Sequence, residues 1–245
     1  MAKRELPDQL KVPWGIGQAL IVFALVWIGL PIVIILVARV LSPYIPALND
    51  FLNGLVNGNV NADFFNAIID AVAGLVLIAY YLRKYKLKWS AVGWRKFNPW
   101  KALGMLAAIF VIFIVGVELL LALVSFLIPA FNANQTQSND FTGSVALHHR
   151  VISLLALVII PPIIEETVFR GFIFPAFAKR YGTIIGAISS SILFGFAHLQ
   201  ANVSIYTFFL GLLLCFMYVR LKSIFPGMAL HMLNNYLALL AMTGK

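Results

Sequence analysis

Charge is what this sequence has least of. Only 11% of its 245 residues are Asp, Glu, Lys or Arg, while 62% are hydrophobic. An average soluble domain carries about 25% charged and about 45–50% apolar residues. So few charges cannot cover a soluble surface, which excludes a secreted, disordered or nucleic-acid-binding chain. Cysteine is scarcer still: the single Cys215 allows no internal disulfide and no cysteine-based zinc site. An H-E-x-x-H zinc helix and a G-x-S-x-G nucleophile turn are also missing. What the sequence does have is long apolar runs, with a mean hydropathy of +0.94. The expected fold class is all-α, a multi-pass transmembrane helix bundle of about 7–8 spans filling 1–245 as one membrane domain.

A hydrocarbon core needs about 20 apolar helical residues. By that ruler the spans fall at 17–41, 62–82, 101–129, 150–178, 183–200, 203–219 and 224–243. The run Gly17–Leu41 is too long for the about 7–15 residues of a signal-peptide core, so it reads as a retained first span. Pro161-Pro162 predicts a kink in the fourth span, or its division into two half-helices. The net charge of +9 reads as topology. Lys3, Arg4 and Lys11, seven basic residues in the 83–101 connection, Lys179–Arg180 and Arg220–Lys222 fall on one side, against Arg39, Arg150 and Lys245 on the other. This predicts a cytoplasmic N-terminus and outward loops near 42–61 and 130–149, with the C-terminus outside if the spans number seven. Two N-x-[ST] sequons, at Asn134 and Asn202, would then face outward, and His148 and His149 would be solvated loop residues. Trp89, Trp94 and Trp100 among basic neighbours predict a stretch lying on the lipid headgroups.

Ionisable groups at membrane depth cost at least about 2.5–3.5 kcal/mol each, so every one is a functional candidate. These are Asp70, Glu118, Glu165, Glu166, Arg170, His198 and His231. Glu166 and Arg170 stand four apart with the acid first, the favourable order for an ion pair on one helix face. Glu165 then lies about 100° around the helix, free to be buried without a cation and to act as a base. The plainer alternative is an ion pair that pins two helices. His198 follows Phe194 in a span rich in small residues, where Gly186 and Ser190 allow close helix approach. His231 and Asn235 share a face at i, i+4; alone, a histidine and an amide simply join helices. Together these groups are the parts needed to activate water and hold an oxyanion. Glu165, His198 and His231 could equally ligate a divalent metal such as zinc. Asp70 and Glu118 read as polar contacts between helices, and Cys215 as lipid-facing or packing.

In order and spacing, Glu165-Glu166-x-x-x-Arg170, Phe194-x-x-x-His198 and His231-x-x-x-Asn235 resemble the CAAX protease and bacteriocin-processing (CPBP, or Abi) family of intramembrane endopeptidases. The likeness covers about 150–243. It implies a membrane peptidase with a site open to the cytoplasm, in which Glu165 activates water with help from His198. His231 and Asn235 would stabilise the oxyanion, and Glu166 and Arg170 would fix the site from behind. It also implies a membrane-bound or lipidated substrate, one class being prenylated CAAX-type proteins. The short loops suit a prokaryotic cell-membrane member. Two rivals keep the same residues: a non-proteolytic scaffold or bacteriocin-immunity protein, and a proton-coupled secondary transporter. At about 1.5 Å per residue, Glu165 lies roughly 22 Å from Arg180, His198 roughly 27 Å from Arg180 and His231 roughly 16 Å from Arg220. These depths converge only if a span tilts or a turn enters the bilayer.

Overall fold

The computed structural model describes residues 6–57, 59–132 and 147–243, and every regular element among them is helical. The helices are α1 (Ile16–Leu41), α2 (Pro46–Asn57), α3 (Val60–Lys84), α4 (Pro99–Leu127), α5 (Leu147–Tyr181), α6 (Thr183–Phe196), α7 (Ala201–Leu221) and α8 (Phe225–Thr243). The chain is a multi-pass, all-helical integral membrane protein. Among the described residues five helices, α1, α3, α4, α5 and α7, are long and apolar enough to cross a bilayer. The other two of the seven expected spans coincide with α6 and α8, which fall short of that measure for two physical reasons. Helix α6 has only 14 residues, and α8, with 19, includes His231, Asn234 and Asn235.

Other expectations need correction. The span placed at 183–200 stops at Phe196, and a non-helical turn through Leu199, at φ 57°, leads into α7. The outward loop near 42–61 contains the helix α2. His148 and His149 belong to the first turn of α5 rather than to a loop. Asn202 is only 8% exposed within α7, so it cannot accept a glycan. The second sequon, at Asn134, lies outside the described residues, as do Lys3, Arg4 and Lys245.

The fourth span is not divided. Helix α5 runs continuously for 35 residues but widens to π geometry at Leu154–Ile159 and Glu166–Ile173. Helix α1 does the same at Leu25–Gly29. Each widened stretch ends two residues before a proline, at Pro31, Pro161 and Pro175. A proline lacks the N–H for the i−4 bond and its ring presses on that carbonyl. One extra residue in the turn moves the carbonyl away, so the helix widens without breaking.

The described residues form two compact units. The first draws on Met1–Leu20, Ala79–Thr136 and Glu166–Leu230. In it Phe113, Val117 and Leu121 of α4 pack with Leu210, Leu214 and Met217 of α7. Helix α6 approaches its neighbours closely: a Cβ on Gly186 would sit 2.6 Å from the Ala178 nitrogen, and one on Gly195 2.7 Å from the Ser204 carbonyl. Trp14 stacks on Phe172 at 4.5 Å and donates its indole N–H to the Phe172 carbonyl at 2.8 Å. The second unit draws on Ile21–Ile78, Gln137–Glu165 and His231–Lys245. It contains α2, most of α1 and α3, the first half of α5 and the end of α8.

Candidate active site

In the first unit the whole stretch Glu166–Ile173 is buried. Glu166 Oε1 accepts a hydrogen bond from Arg170 Nη1 at 3.0 Å, with both side chains no more than 1% exposed. The predicted ion pair therefore forms, although the local helix is π rather than α. The Arg170 guanidinium also lies over the Phe194 ring, 4.2 Å from its centroid. Such a stack holds a weakly hydrated cation where water is absent. Sequence reading missed how tightly this pair is walled in. A Cβ on Gly211 of α7 would meet Ser191 Oγ at 2.8 Å and Arg170 Nη2 at 3.2 Å. A Cβ on Gly171 would collide with the Val92 carbonyl oxygen. Cys215 is buried beside Arg170, Glu166 and Ser191, which removes its lipid-facing reading. Trp94 donates its indole N–H to Thr167 Oγ1 at 3.1 Å, so it is fastened to this stretch rather than lying on headgroups.

His198, also in the first unit, occupies the turn after α6 and is partly exposed. Its Nδ1 is 2.9 Å from the Phe194 carbonyl. A carbonyl only accepts, so the proton sits on Nδ1 and Nε2 keeps its lone pair.

The second unit holds Glu165, His231 and Asn235. Glu165 Oε2 is 3.5 Å from His231 Nε2, with side-chain exposures of 15% for Glu165 and 3% for His231. That separation is at the outer edge of a hydrogen bond, as catalytic contacts often are before substrate tightens them. Asp70, which carried no motif, lies within electrostatic range of Glu165 and accepts a 3.0 Å bond from Asn66. Asn235 Nδ2 donates to the Leu157 carbonyl at 2.9 Å. The α-helical partner of that carbonyl would be Pro161 and its π partner Pro162, and neither has an N–H. Asn235 supplies the missing donor and retains a second amide hydrogen.

Adjacent carboxylates thus have different surroundings. Glu166 is fixed by a guanidinium, whereas Glu165 faces an imidazole and is partly open. Among the described residues no group of three His, Cys, Asp or Glu side chains could hold a metal ion.

Comparison with known proteins agrees with these motifs. Residues 147–237 match the family described as Type II CAAX prenyl endopeptidase Rce1-like. A curated relative, "Putative membrane peptidase YdiL" of Bacillus subtilis (strain 168), is 25% identical over 134 residues, 49% of this chain and 55% of that protein. The chain thus spans about half the length of the relative it matches. No solved structure matches. With its three motifs in order inside the matched segment, residues 147–237 of the chain are similar to the CAAX prenyl endopeptidase family.

Proposed function

We propose that this protein is an intramembrane endopeptidase that hydrolyses a peptide bond in a membrane-bound or lipidated substrate, with water activated by Glu165. The observation that carries the reading is the split between the two adjacent carboxylates: Glu166 bonded to Arg170 at 3.0 Å, and Glu165 3.5 Å from His231. A carboxylate bonded to a buried guanidinium is committed to that partner and is poorly placed to reach water. One beside an imidazole, with partial access, can take a proton and return it.

In this mechanism Glu165 removes a proton from water as the oxygen attacks the scissile carbonyl carbon. His198, with its Nε2 lone pair, assists that proton transfer. The oxyanion that forms accepts hydrogen bonds from an imidazole N–H of His231 and from the second amide hydrogen of Asn235. Protonated Glu165 then gives its proton to the departing amine as the C–N bond breaks. Glu166 and Arg170 hold the residue next to the base in place. The N-terminus faces the cytoplasm of a prokaryotic cell, as the distribution of Lys and Arg supports.

The test is cleavage by the purified protein in lipid vesicles, offered a prenylated C-terminal peptide and a mixed membrane-peptide pool, with and without chelator. Wild type should cut one of them while Glu165→Gln, folded as judged by thermal unfolding, should not. Unchanged cleavage by Glu165→Gln would overturn the assignment of the base. Loss of activity with chelator would replace it with a metal-dependent mechanism.

A further inference from the structure

A cavity of about 400 Å³ opens in the first unit between the chain leading into α1 and the α3–α4 connection. Its walls include Lys11, Lys86, Lys88 and Arg95, together with Gln9 and Ser90, and no acidic residue. Lys86 and Lys88 are exposed, and their side-chain amines make no hydrogen bond or ion pair among the described residues. Arg95 is half-buried and donates through Nε to the Ser90 carbonyl, which fixes the plane of its guanidinium and leaves the terminal amines uncommitted. The acid nearby is Asp8, bonded to Lys11 at 2.7 Å. Its carboxyl is held below the ordinary value by that hydrogen bond and by the charge of Lys11, and Lys222 and Arg95 add to the positive field.

The position of the cavity selects its occupant. It lies where two membrane-spanning helices end and begin, α3 at Lys84 and α4 at Pro99. Trp89, between the wall residues Lys88 and Ser90 in sequence, and Trp100, in the first turn of α4, are 37% and 80% exposed, and indoles at the ends of membrane helices rest at the headgroup level. Basic pockets at that level hold lipid phosphates. We propose that this cavity binds the phosphate of an anionic membrane lipid, with Lys86, Lys88 and Arg95 as its contacts. The walls are tied to the rest of the unit: Gln9 Nε2 donates to the Val219 carbonyl at 2.9 Å, and Trp94, next in sequence to the wall residue Arg95, donates to Thr167 Oγ1. An occupied cavity therefore braces the stretch that carries Glu166 and Arg170, and binding should raise the unfolding temperature.

The experiment uses the full chain in detergent, titrated with phosphatidylglycerol, phosphatidylcholine or inorganic phosphate, and read by native mass spectrometry and thermal unfolding. Two double variants lose the same charge. Lys86→Gln/Lys88→Gln lies on the cavity wall, and Lys84→Gln/Lys96→Gln lies outside it. Wild type should retain phosphatidylglycerol in preference to phosphatidylcholine and be stabilised by it. The wall variant should bind it about tenfold or more weakly, and the outside variant like wild type. Equal weakening in both variants would mean a diffuse field and would overturn the site. So would an absence of preference between the two lipids. Inorganic phosphate that stabilises the protein as well as phosphatidylglycerol does would make this a free-anion site and overturn the lipid assignment.

Discussion

Helices α1 and α4 are the most apolar of the five long helices, yet only 11% and 17% of their most apolar windows are buried within the protein. In α5 and α7 the corresponding share is 44% for each, although α5 includes Glu165, Glu166 and Arg170 and α7 includes Asn202, Gly211 and Cys215. In a soluble protein the order would be reversed, because water drives the most apolar surface inward. In a bilayer lipid is as apolar as leucine, so apolarity alone gives a helix no reason to be inside. Burial goes instead to helices with small residues that permit close approach and polar groups that need partners. The less apolar pair therefore contains the candidate chemistry, and the more apolar pair meets lipid.

Substitutions can break or sharpen that contrast. The largest effect should come from Glu165→Gln, a loss of about 10²–10⁴-fold in peptide cleavage with little change in unfolding temperature. Next is Arg170→Met, which strands the Glu166 carboxylate at 1% exposure and should destabilise the protein by about 3–5 kcal/mol. The double variant Glu166→Gln/Arg170→Met should recover much of that loss, and denaturant unfolding in mild detergent measures both. Asn235→Leu removes the donor to the Leu157 carbonyl and should cost about 1–3 kcal/mol in the same assay. Gly211→Ala pushes a methyl group against Ser191 and Arg170 and should cost about 1–3 kcal/mol. At the small end, Leu119→Ala on α4, 68% exposed, should stay within about 0.5 kcal/mol. A large loss there would mean that α4 is covered by protein and would undo the contrast.

The motif-bearing half of the molecule was more legible in the sequence than its geometry. The Glu166–Arg170 pair follows from four-residue spacing, and it survives the change from α to π because both helix types keep i and i+4 neighbours. Helix widening was missed, since a proline at membrane depth reads first as a kink. Pro31, Pro161 and Pro175 stand in the sequence, but the widened turns that end two residues before each appear only in the structure. The prolines did contain the partner of Asn235, because consecutive prolines orphan the Leu157 carbonyl under either bonding pattern. Trp94, by contrast, could not be separated from Trp89 and Trp100 by composition. Only folding reveals that its N–H meets Thr167. Gly211 gave no local signal either, as its role lies in what α7 approaches. Membrane crossings were harder to count where a helix is short or amide-rich, as in α6 and α8, because hydropathy measures affinity for lipid rather than helical structure.

Helix α6 has one more consequence. Its 14 residues rise only about 21 Å, against a hydrocarbon core of about 30 Å. Where so short a helix crosses a bilayer, lipids compress around it, or the polar turn at its end, here with His198 and Gln200, sits among acyl chains and draws water inward. Hydrolysis consumes water, the substance a bilayer interior excludes most effectively. Under the proposed hydrolysis, a helix this short would answer that supply problem without a channel, by letting the bilayer thin beside the His198 imidazole.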